Sequence, residues 1–416
     1  MNHKIALMRR PVFLAVLFLF AFSARAQVTI QTGSTLSELI NNLYGGDGIQ
    51  LRDTGHQAHF GDSQDFQNFS ATLERVLQSR SVFPIPSAVG LVSYRFNEAT
   101  GTYERVQGSL GPLLADRGAT TGKGTLTVST TYTFSDFDQV NGRDTINVVL
   151  RHCLTEDCIS NVESPYLQDT IHVATRFRMK SQALALSAVY GLTDNLDVGL
   201  VLPYIRNDLE ITTDAQIVLS PLSTPPGPHA FDLNIETPGQ YATGTAIGIG
   251  DLVARAKMRI LPRSSFDAAV LADVSLPTGD RENFLGTGEL RVKATFVASR
   301  TLRRLVPHVN FGYEINFGET RLSAFDYRIG SEFMLRPTVT LSGELLGVVR
   351  PTAESLFRST ALGEQRLIGR SEIDGAIGGK WQISENRAVL FNLVVPLNTN
   401  GVRASRVVTI GIQSAM

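Results

Sequence analysis

The charged residues that could line a passage stand at every second position of neighbouring segments. Arg255, Lys257 and Arg259 alternate with apolar residues in one segment, and Asp267 and Asp273 do so in the next. Side chains of a β-strand point alternately to its two faces, so each segment has one charged and one apolar face. Opposite charges across neighbouring strands stabilise each other by about 0.2 to 1 kcal/mol. Such a face can close a lumen with ion pairs or form a selectivity ladder along the path of a solute.

The same alternation places further charged side chains on the polar face of later segments. If that face is the inside of a barrel, the lumen-facing candidates are Arg255, Lys257, Arg259, Asp267, Asp273, Arg291, Lys293, Glu314, Asp326, Arg328, Glu332, Glu344, Glu372, Asp374 and Lys380. A symmetric turn would place Arg259 opposite Asp267. A loop centred near Asn283 would place Asp273 opposite Lys293. The mixed signs argue against a pore that strongly selects anions or cations.

Other combinations of reactive residues give weaker indications. His56 and His59 have a spacing that some metal sites use, but no third ligand accompanies them, so a polar contact is favoured. The acidic segment from Asp136 to Asp144 departs by one position from the spacing of an EF-hand calcium loop. The sequence contains no serine-hydrolase elbow, zinc-protease motif or P-loop. We therefore expect no enzymatic activity, no cofactor and no metal.

Strands with this alternation position the charged residues, and they run from Thr125 to the end of the chain. Twelve strands can be counted, and every second connection is short. The short connections lie at Thr193, Arg263, Thr301, Arg336 and Glu385. An outer-membrane barrel with both termini in the periplasm requires this alternation of short and long connections, whereas a soluble β-sandwich does not. We therefore predict an all-β membrane protein, an antiparallel transmembrane β-barrel of about 12 strands.

The ends of the strands and the loops add detail to the predicted barrel. Five aromatic residues fall at the short-connection ends on the apolar face, as an aromatic girdle does. They are Tyr190, Phe266, Phe296, Phe333 and Trp381. The third strand is expected to end at Tyr204, with residues 206–246 forming a loop. A short N-terminal hairpin around Gly101 would raise the count to 14 if it joined the wall.

Residues 1–26 have the features of a secretory signal peptide. Lys4, Arg9 and Arg10 precede an apolar run, and Ala26 ends the cleavage site. The apolar run is shorter than the roughly 20 residues of a spanning helix, so a membrane protein of this sequence must be a closed barrel. Removing the four basic residues of this segment leaves 34 basic against 39 acidic residues. This balance gives no reason to expect binding to nucleic acid.

The mature N-terminal segment, residues 27–120, differs in pattern from the barrel at 121–416. Thr35 and Glu38 have the spacing of a capping box, and apolar residues follow at helical spacing. A second amphipathic segment begins near Phe66. We interpret this mixed α/β region as a plug in the lumen or as a small periplasmic module.

The chain has two cysteines, Cys153 and Cys158, in a short polar segment. In an exported protein such a pair favours one structural disulfide, and a metal or redox role is the alternative. The pair lies in a long connection, so a disulfide would stabilise a loop rather than the wall.

Four glycine-containing segments follow each other in a fixed order along the predicted barrel. They are Tyr190-Gly191-Leu192-Thr193-Asp194-Asn195-Leu196, Gly248-Ile249-Gly250-Asp251, Leu276-Pro277-Thr278-Gly279-Asp280 and Gly286-Thr287-Gly288. Their order and spacing resemble those of a bacterial outer-membrane transporter family of the phenol-degradation meta-pathway type, which is distantly similar to the FadL fatty-acid channel. The resemblance covers about residues 120 to 413. It implies a barrel that passes or binds small, often hydrophobic or aromatic, compounds.

These indications predict an outer-membrane channel for the passive uptake of small compounds, with the N- and C-termini in the periplasm. The expected partners are outer-membrane lipid, a small-molecule solute and the barrel assembly machinery. The alternative is a non-conducting scaffold whose long loops bind a partner at the cell surface. A lumen with so many charges is an awkward path for a purely apolar solute. The solute therefore either carries a polar group or follows some other part of the wall.

Overall fold

The computed structural model describes residues 35–41, 71, 73–79, 93–97, 101–106, 109–151, 169–220, 239–262, 266–352 and 370–416. The predicted signal peptide, the two histidines at 56 and 59 and both cysteines lie outside these residues. No helix among the described residues is long and apolar enough to cross a membrane. Helix α1 (Leu36–Asn41) begins with the predicted capping box, since Glu38 N–H donates to Thr35 Oγ1 at 3.2 Å and Thr35 N–H to the Glu38 carboxylate at 2.9 Å. Residues 73–79 form a second helical segment.

Most of the described chain is β-structure. The strands are β1 (Ser93–Asn97), β2 (Thr102–Val106), β3 (Leu126–Val140), β4 (Ile146–Arg151), β5 (Thr170–Thr193), β6 (Leu196–Val218), β7 (Gly239–Ile249), β8 (Leu252–Pro262), β9 (Phe266–Leu276), β10 (Arg291–Arg300), β11 (Leu305–Asn316), β12 (Ala324–Arg336), β13 (Val339–Val349), β14 (Ser371–Ser384), β15 (Arg387–Pro396) and β16 (Val402–Ala415). A 3-10 turn, Thr320–Leu322, lies in the connection before β12.

Twelve of these strands close into one antiparallel barrel. The ring runs β3, β5, β6 and then β8 to β16, and β16 pairs back with β3. The remaining barrel-associated strands, β4 and β7, extend the sheet beyond the ring beside β5 and β6. The predicted hairpin, β1 and β2, forms a separate two-stranded sheet and adds nothing to the wall. The prediction of a barrel of 12 strands is therefore confirmed, and the alternative of 14 is wrong.

The barrel has a short-turn end and a long-loop end, which we name from the lengths of their connections. Leu126 and Met416 meet at the short-turn end, where each backbone N–H donates to the other's carbonyl at 2.9 and 2.8 Å. The outer wall is apolar, with Phe296 44 % and Trp381 58 % exposed. Apolar side chains on the outer face of a closed barrel are suited to contact with lipid.

Strands β5 and β6 correct the prediction that the third strand ends at Tyr204. β6 continues to Val218 and the chain returns as β7, so much of the expected loop at 206–246 is strand. The outward face changes after Tyr204 to Arg206, Asp208 and Glu210, while the inward face becomes buried and mainly apolar. Up to Tyr204 the outward residues are apolar, as contact with lipid requires, and beyond it the outward residues are polar. The sequence of such a water-exposed strand resembles that of a polar loop.

The strands beyond this point form what we call the extension sheet: β4, residues 170–180 of β5, residues 204–218 of β6, and β7. Its inward apolar side chains pack with α1 and with helical segment 73–79 in one core. The core includes Leu36, Ile40, Leu73, Val76, Leu77, Ile146, Val148, Ile171, Val173, Leu209 and Ile211. Burial of this surface stabilises the N-terminal helices at the long-loop end, because short helices need tertiary packing.

Candidate functional site

The predicted lumen candidates all lie at inward positions of β8 to β14, and we call this side of the lumen the charged arc. Their side chains are largely paired with one another. The ion pairs of this arc and its neighbours are Arg255–Asp273, Arg259–Asp267, Arg291–Glu314, Lys293–Asp326, Arg350–Glu372 and Arg403–Asp374. The Arg255–Asp273 pair is bidentate, with N···O distances of 2.7 and 3.0 Å. Bidentate guanidinium–carboxylate pairs are directional as well as strong.

The predicted pairings across the strands are confirmed in part. Asp273 and Lys293 are opposite each other in the β9–β10 register. Their ion pairs nevertheless go to other strands, with Asp273 bound to Arg255 and Lys293 Nζ lying 2.8 Å from Asp326. Arg259 does pair with Asp267, although its register partner is Ala269 because the β8–β9 ladder is irregular near Arg259. A strand has a neighbour on each side, so register alone does not decide which charges meet.

The other side of the lumen differs in composition, and we call it the neutral arc. It consists of the inward positions of β15, of β16 from Val407, of β3 up to Phe137 and of β5 from Ser181. No inward side chain in these described ranges is charged. Its hydroxyl groups pair with one another, with Ser129 Oγ and Ser187 Oγ 2.5 Å apart and Thr133 Oγ1 and Thr409 Oγ1 3.0 Å apart.

Residues 109–122, which we call the lumen segment, lie inside the barrel, and every one of them is buried. Glu344 on β13 holds its tip, because the carboxylate accepts hydrogen bonds from the backbone N–H groups of Leu113 at 2.8 Å and Ala115 at 2.9 Å. Successive N–H groups around one carboxylate form a compact anion-binding arrangement. Glu332 on β12 forms an ion pair with Arg117.

The other polar contacts of the lumen segment also go mainly to charged side chains. Asp116 lies 3.3 Å from Arg255 and 3.8 Å from Lys257. Arg328 donates to the carbonyl of Leu114. The N–H of Thr121 donates to Asp197 on β6 at 2.9 Å. The charged arc therefore contacts the lumen segment mainly through buried charged groups, and each of these groups would destabilise the protein if it lost its partner.

The lumen segment also makes apolar contacts, which extend from β13 and β14 at the edge of the charged arc onto β15 and β16 of the neutral arc. We call this contact the apolar seam, and its members are Leu113, Leu114, Leu346, Ala376, Val394 and Val407. Gly378 makes room for it, since a Cβ at that position would lie 2.8 Å from Leu113 Cδ1. The two faces of the lumen segment are therefore held by different chemistry.

A cavity of about 420 Å³ lies in the lumen between the lumen segment and helical segment 73–79. It is bounded by Leu114 on one side, by Arg75 and Gln78 on the other, and by both arcs of the wall. Arg281 Nε donates to Gln78 Oε1 at 3.1 Å, and Arg75 lies 3.3 Å from Glu319. A side-chain hydrogen bond from Arg321 holds the pKa of Glu319 below its ordinary value. The carboxylate is therefore ionised and available to Arg75 at neutral pH.

Three of the four glycine-containing segments quoted above meet at Asp251, where the wall passes from β7 to β8, whereas residues 190–196 form the turn between β5 and β6. The Asp251 carboxylate accepts from the N–H of Thr287 at 2.9 Å and from the N–H of Gly279 at 3.2 Å. A Cβ at Gly286 would lie 2.3 Å from Asp251 Oδ1. These three segments therefore share one structural role, which is to bind the 277–290 loop to the break in the wall.

Sequence reasoning missed the lumen segment's Asp116 and Arg117 and the whole neutral arc. The alternating Ser and Thr residues of β3 are visible in the sequence, but nothing local shows that β3 adjoins β16 in the ring. In the described part of the chain, no group of three or more His, Cys, Asp and Glu residues could hold a metal ion.

Comparison with known proteins gives a family and several similar folds. Residues 160–395 match the family described as "Putative MetA-pathway of phenol degradation". A search of curated proteins finds no match.

Among solved structures, the chain is similar to the COG4313 outer membrane channel from Pseudomonas putida F1, with 13% identity, a TM-score of 0.45, and coverage of 72% of this chain and 97% of that one. It is also similar to the Ralstonia pickettii toluene transporter TbuX, with 13% identity, a TM-score of 0.35, and coverage of 70% and 90%. A Pseudomonas aeruginosa FadL homologue gives 9% identity, a TM-score of 0.31, and coverage of 70% and 89%.

The family match spans more than half of the chain and includes all four of the quoted glycine-containing segments. It confirms the resemblance that their order and spacing indicated. The chain belongs to the family described as putative MetA-pathway of phenol degradation.

Proposed function

We propose that this protein is an outer-membrane channel for the passive uptake of small hydrophobic or aromatic compounds. The observation that carries the proposal is the cavity of about 420 Å³ inside a closed barrel whose outer wall is apolar. Small-molecule sites commonly have volumes of about 300 to 1,000 Å³ and mix apolar walls with a few polar groups. The cavity has that mixture, since it touches Val201 and Val394 as well as Arg291.

The family and the similar structures support the same class of solute. The family description refers to phenol degradation, and one of the similar structures is described as a toluene transporter. Phenol and toluene are one-ring aromatic compounds that a cavity of this size can contain. We infer that this chain takes up compounds of that kind and catalyses no reaction on them.

We propose that the short-turn end and both termini face the periplasm. The charged outer face of the extension sheet is suited to contact with water. In outer-membrane barrels the long loops lie on the extracellular side and the short turns on the periplasmic side. In this orientation residues 1–26 act as the export signal, residues 27–120 as a plug, and residues 121–416 as the barrel. Outer-membrane lipid would surround the apolar wall, and the barrel assembly machinery would insert it.

The charged arc supports a closing role more strongly than a selectivity ladder. Most of its cations and anions are paired with each other or with the lumen segment, as Glu332 is with Arg117 and Arg255 with Asp116, and Lys380 donates to Gln413 on β16. A solute ion would have to replace one of these buried partners, which is costly. We infer that the charged arc holds the lumen segment in place and that a resting barrel is shut.

Uptake by cells tests this proposal. Cells that export the protein should accumulate radiolabelled toluene and p-cresol faster than matched cells without it, in a strain that lacks other channels for these compounds. A variant in which a Gly-Ser linker of equal length replaces residues 110–117 should take up both compounds faster still and show larger conductance steps in planar bilayers. Equal uptake with and without the protein would contradict the proposal and favour a non-conducting scaffold.

A further inference from the structure

One buried side chain of the neutral arc has no partner. Asn392 on β15 is 1 % exposed, and neither its amide nitrogen nor its amide oxygen has a hydrogen-bond partner within the described structure. An amide side chain can donate two hydrogen bonds and accept two. A buried polar group without a partner costs about 1 to 3 kcal/mol, so such a group calls for an explanation.

The position of Asn392 places its amide beside the apolar seam. Its register partners are Gly378 on β14 and Thr409 on β16. Leu113 of the lumen segment lies against Gly378, at 2.8 Å from the place of a Cβ. Val394, two residues along β15, belongs to the seam itself. The unpartnered amide therefore lies in the wall where the lumen segment makes only apolar contacts.

The surroundings of Asn392 suit an uncharged ligand. Thr409, its neighbour on β16, shares its hydroxyl with Thr133 on β3. No inward side chain of the neutral arc is charged, and the neighbouring Lys380 of β14 already donates to Gln413 on β16 at 3.4 Å. An ionised solute would therefore have to compete for that cation or remain without a counter-charge, and a buried ion without a partner is strongly disfavoured. A neutral hydroxyl or carbonyl group, by contrast, can exchange hydrogen bonds with an amide.

The seam is also the side of the lumen segment that moves at the lowest cost. Turning the Leu113 and Leu114 side chains away from the wall breaks apolar contacts, which an apolar solute replaces as it enters, while their backbone N–H groups stay on Glu344. Displacing the backbone of residues 113–117 would instead separate Glu344 from three N–H groups and Arg117 from Glu332. A route along the seam leaves those polar contacts intact.

We propose that the solute leaves the cavity along the apolar seam, between the lumen segment and the neutral arc, and that Asn392 binds its polar group there. The solute class is then a neutral molecule with an apolar body and one hydroxyl or carbonyl group. This inference rests on the proposed uptake function and specifies the route and the substrate class. It also resolves the conflict between a charged lumen and a hydrophobic solute, because the route avoids the charged arc.

Asn392→Leu tests the inference with a matched pair of solutes. p-Cresol and toluene share a methylated ring and differ by one hydroxyl group. The variant should lower the initial uptake rate of p-cresol by about threefold to tenfold, as expected for the loss of one or two hydrogen bonds. Uptake of toluene should stay within about twofold of the wild type. Heat-modifiable gel migration checks that the variant barrel is folded.

Thr295→Val is the matched control. Thr295 is also buried, at 4 % exposure, and its hydroxyl has no partner within the described structure, but it lies on β10 in the charged arc. Its replacement should leave the uptake of both solutes unchanged. An Asn392→Leu effect equal for both solutes, or no effect on p-cresol, would overturn the inference. Absence of uptake by the wild type for both solutes would instead overturn the proposed function.

A reversible cross-link tests the route itself. In a background with Cys153→Ser and Cys158→Ser, oxidation of the Leu114→Cys/Val394→Cys pair should stop uptake of both solutes, and reduction should restore it. The control pair, Leu110→Cys/Thr340→Cys, ties the lumen segment to the charged arc, where the N–H of Leu110 donates to Thr340 Oγ1 at 2.9 Å. Oxidation of the control pair should leave uptake unchanged. Uptake through the oxidised first pair would show that the solute takes another route.

Discussion

The charged and neutral arcs of the lumen present the same outer surface and opposite inner surfaces. Along β10, in the charged arc, Phe296 points to lipid and Arg291 and Lys293 point inward. Along β16, in the neutral arc, Ile410 points to lipid and Thr409 points inward. The membrane requires the outer pattern of both, because lipid-facing charges are costly. The inner pattern is free to differ, and the difference shows how the lumen is used.

The charged arc is a holding surface, by which we mean that it binds the lumen segment and keeps it in place. It contributes the acids that bind the lumen segment, and removal of one partner from a buried ion pair costs about 3 to 5 kcal/mol. The neutral arc offers hydroxyls that satisfy one another and a seam of apolar contacts. The lumen segment is therefore tightly held on one side and loosely on the other. A substitution in one arc should therefore have a consequence that a substitution in the other arc does not have.

Glu332→Gln has the largest expected effect. It leaves the buried Arg117 guanidinium without its carboxylate partner, so the barrel should lose about 3 to 5 kcal/mol of unfolding free energy. Urea unfolding in lipid vesicles, followed by gel migration, measures the loss. The double variant Arg117→Met/Glu332→Gln should recover part of it, because no unpaired cation remains. A single variant as stable as the wild type would show that the charged arc is not a holding surface.

Glu344→Gln should have a smaller effect on stability and a clear effect on gating. The amide can still occupy the site, but it loses the charge that strengthens the hydrogen bonds from residues 113–115, worth about 1.5 to 3 kcal/mol. The lumen segment should leave its place more often, and planar bilayers should show more frequent channel openings. Thr295→Val, which changes a hydroxyl that has no partner within the described structure, is the control. Unchanged opening frequency would mean that another contact holds the tip.

Leu113→Ala combined with Leu114→Ala tests the seam. Loss of the apolar contacts should loosen only this side of the lumen segment, so uptake of toluene should rise by about threefold while Glu344 keeps its contacts. Initial uptake rates measure the change. The control is Leu110→Ala, since Leu110 is buried in the lumen segment but lies outside the seam. A larger rise in the control would place the route elsewhere.

Thr133→Val should have the smallest effect. It removes one neutral hydrogen bond, to Thr409, and should cost about 0.5 to 1.5 kcal/mol of unfolding free energy. The double variant Thr133→Val/Thr409→Val should be closer to the wild type, because it leaves no hydroxyl without its partner. The urea midpoints of the two variants provide the comparison. A loss as large as that of Glu332→Gln would remove the energetic distinction between the arcs.

The sequence predicted the local properties of the wall and failed where they depend on neighbours. The pairing register of Asp273 and Lys293 was correct, yet their ion-pair partners are Arg255 and Asp326. The end of the third strand was placed at Tyr204, where the outward face changes from lipid to water. Polar residues on the outward face of a strand resemble those of a loop in composition. The sequence therefore did not reveal that β6 continues beyond Tyr204.

The sequence by itself determined the barrel, its number of strands and the inward or outward direction of side chains in the strands that it revealed, because alternation along a strand is a local property. Only the tertiary structure decided that β15, β16, β3 and β5 adjoin and leave one side of the lumen uncharged. It also decided that residues 109–122 lie between the two arcs and that Asn392 is left without a partner. These features depend on closing the ring, which brings together residues from the two ends of the barrel sequence.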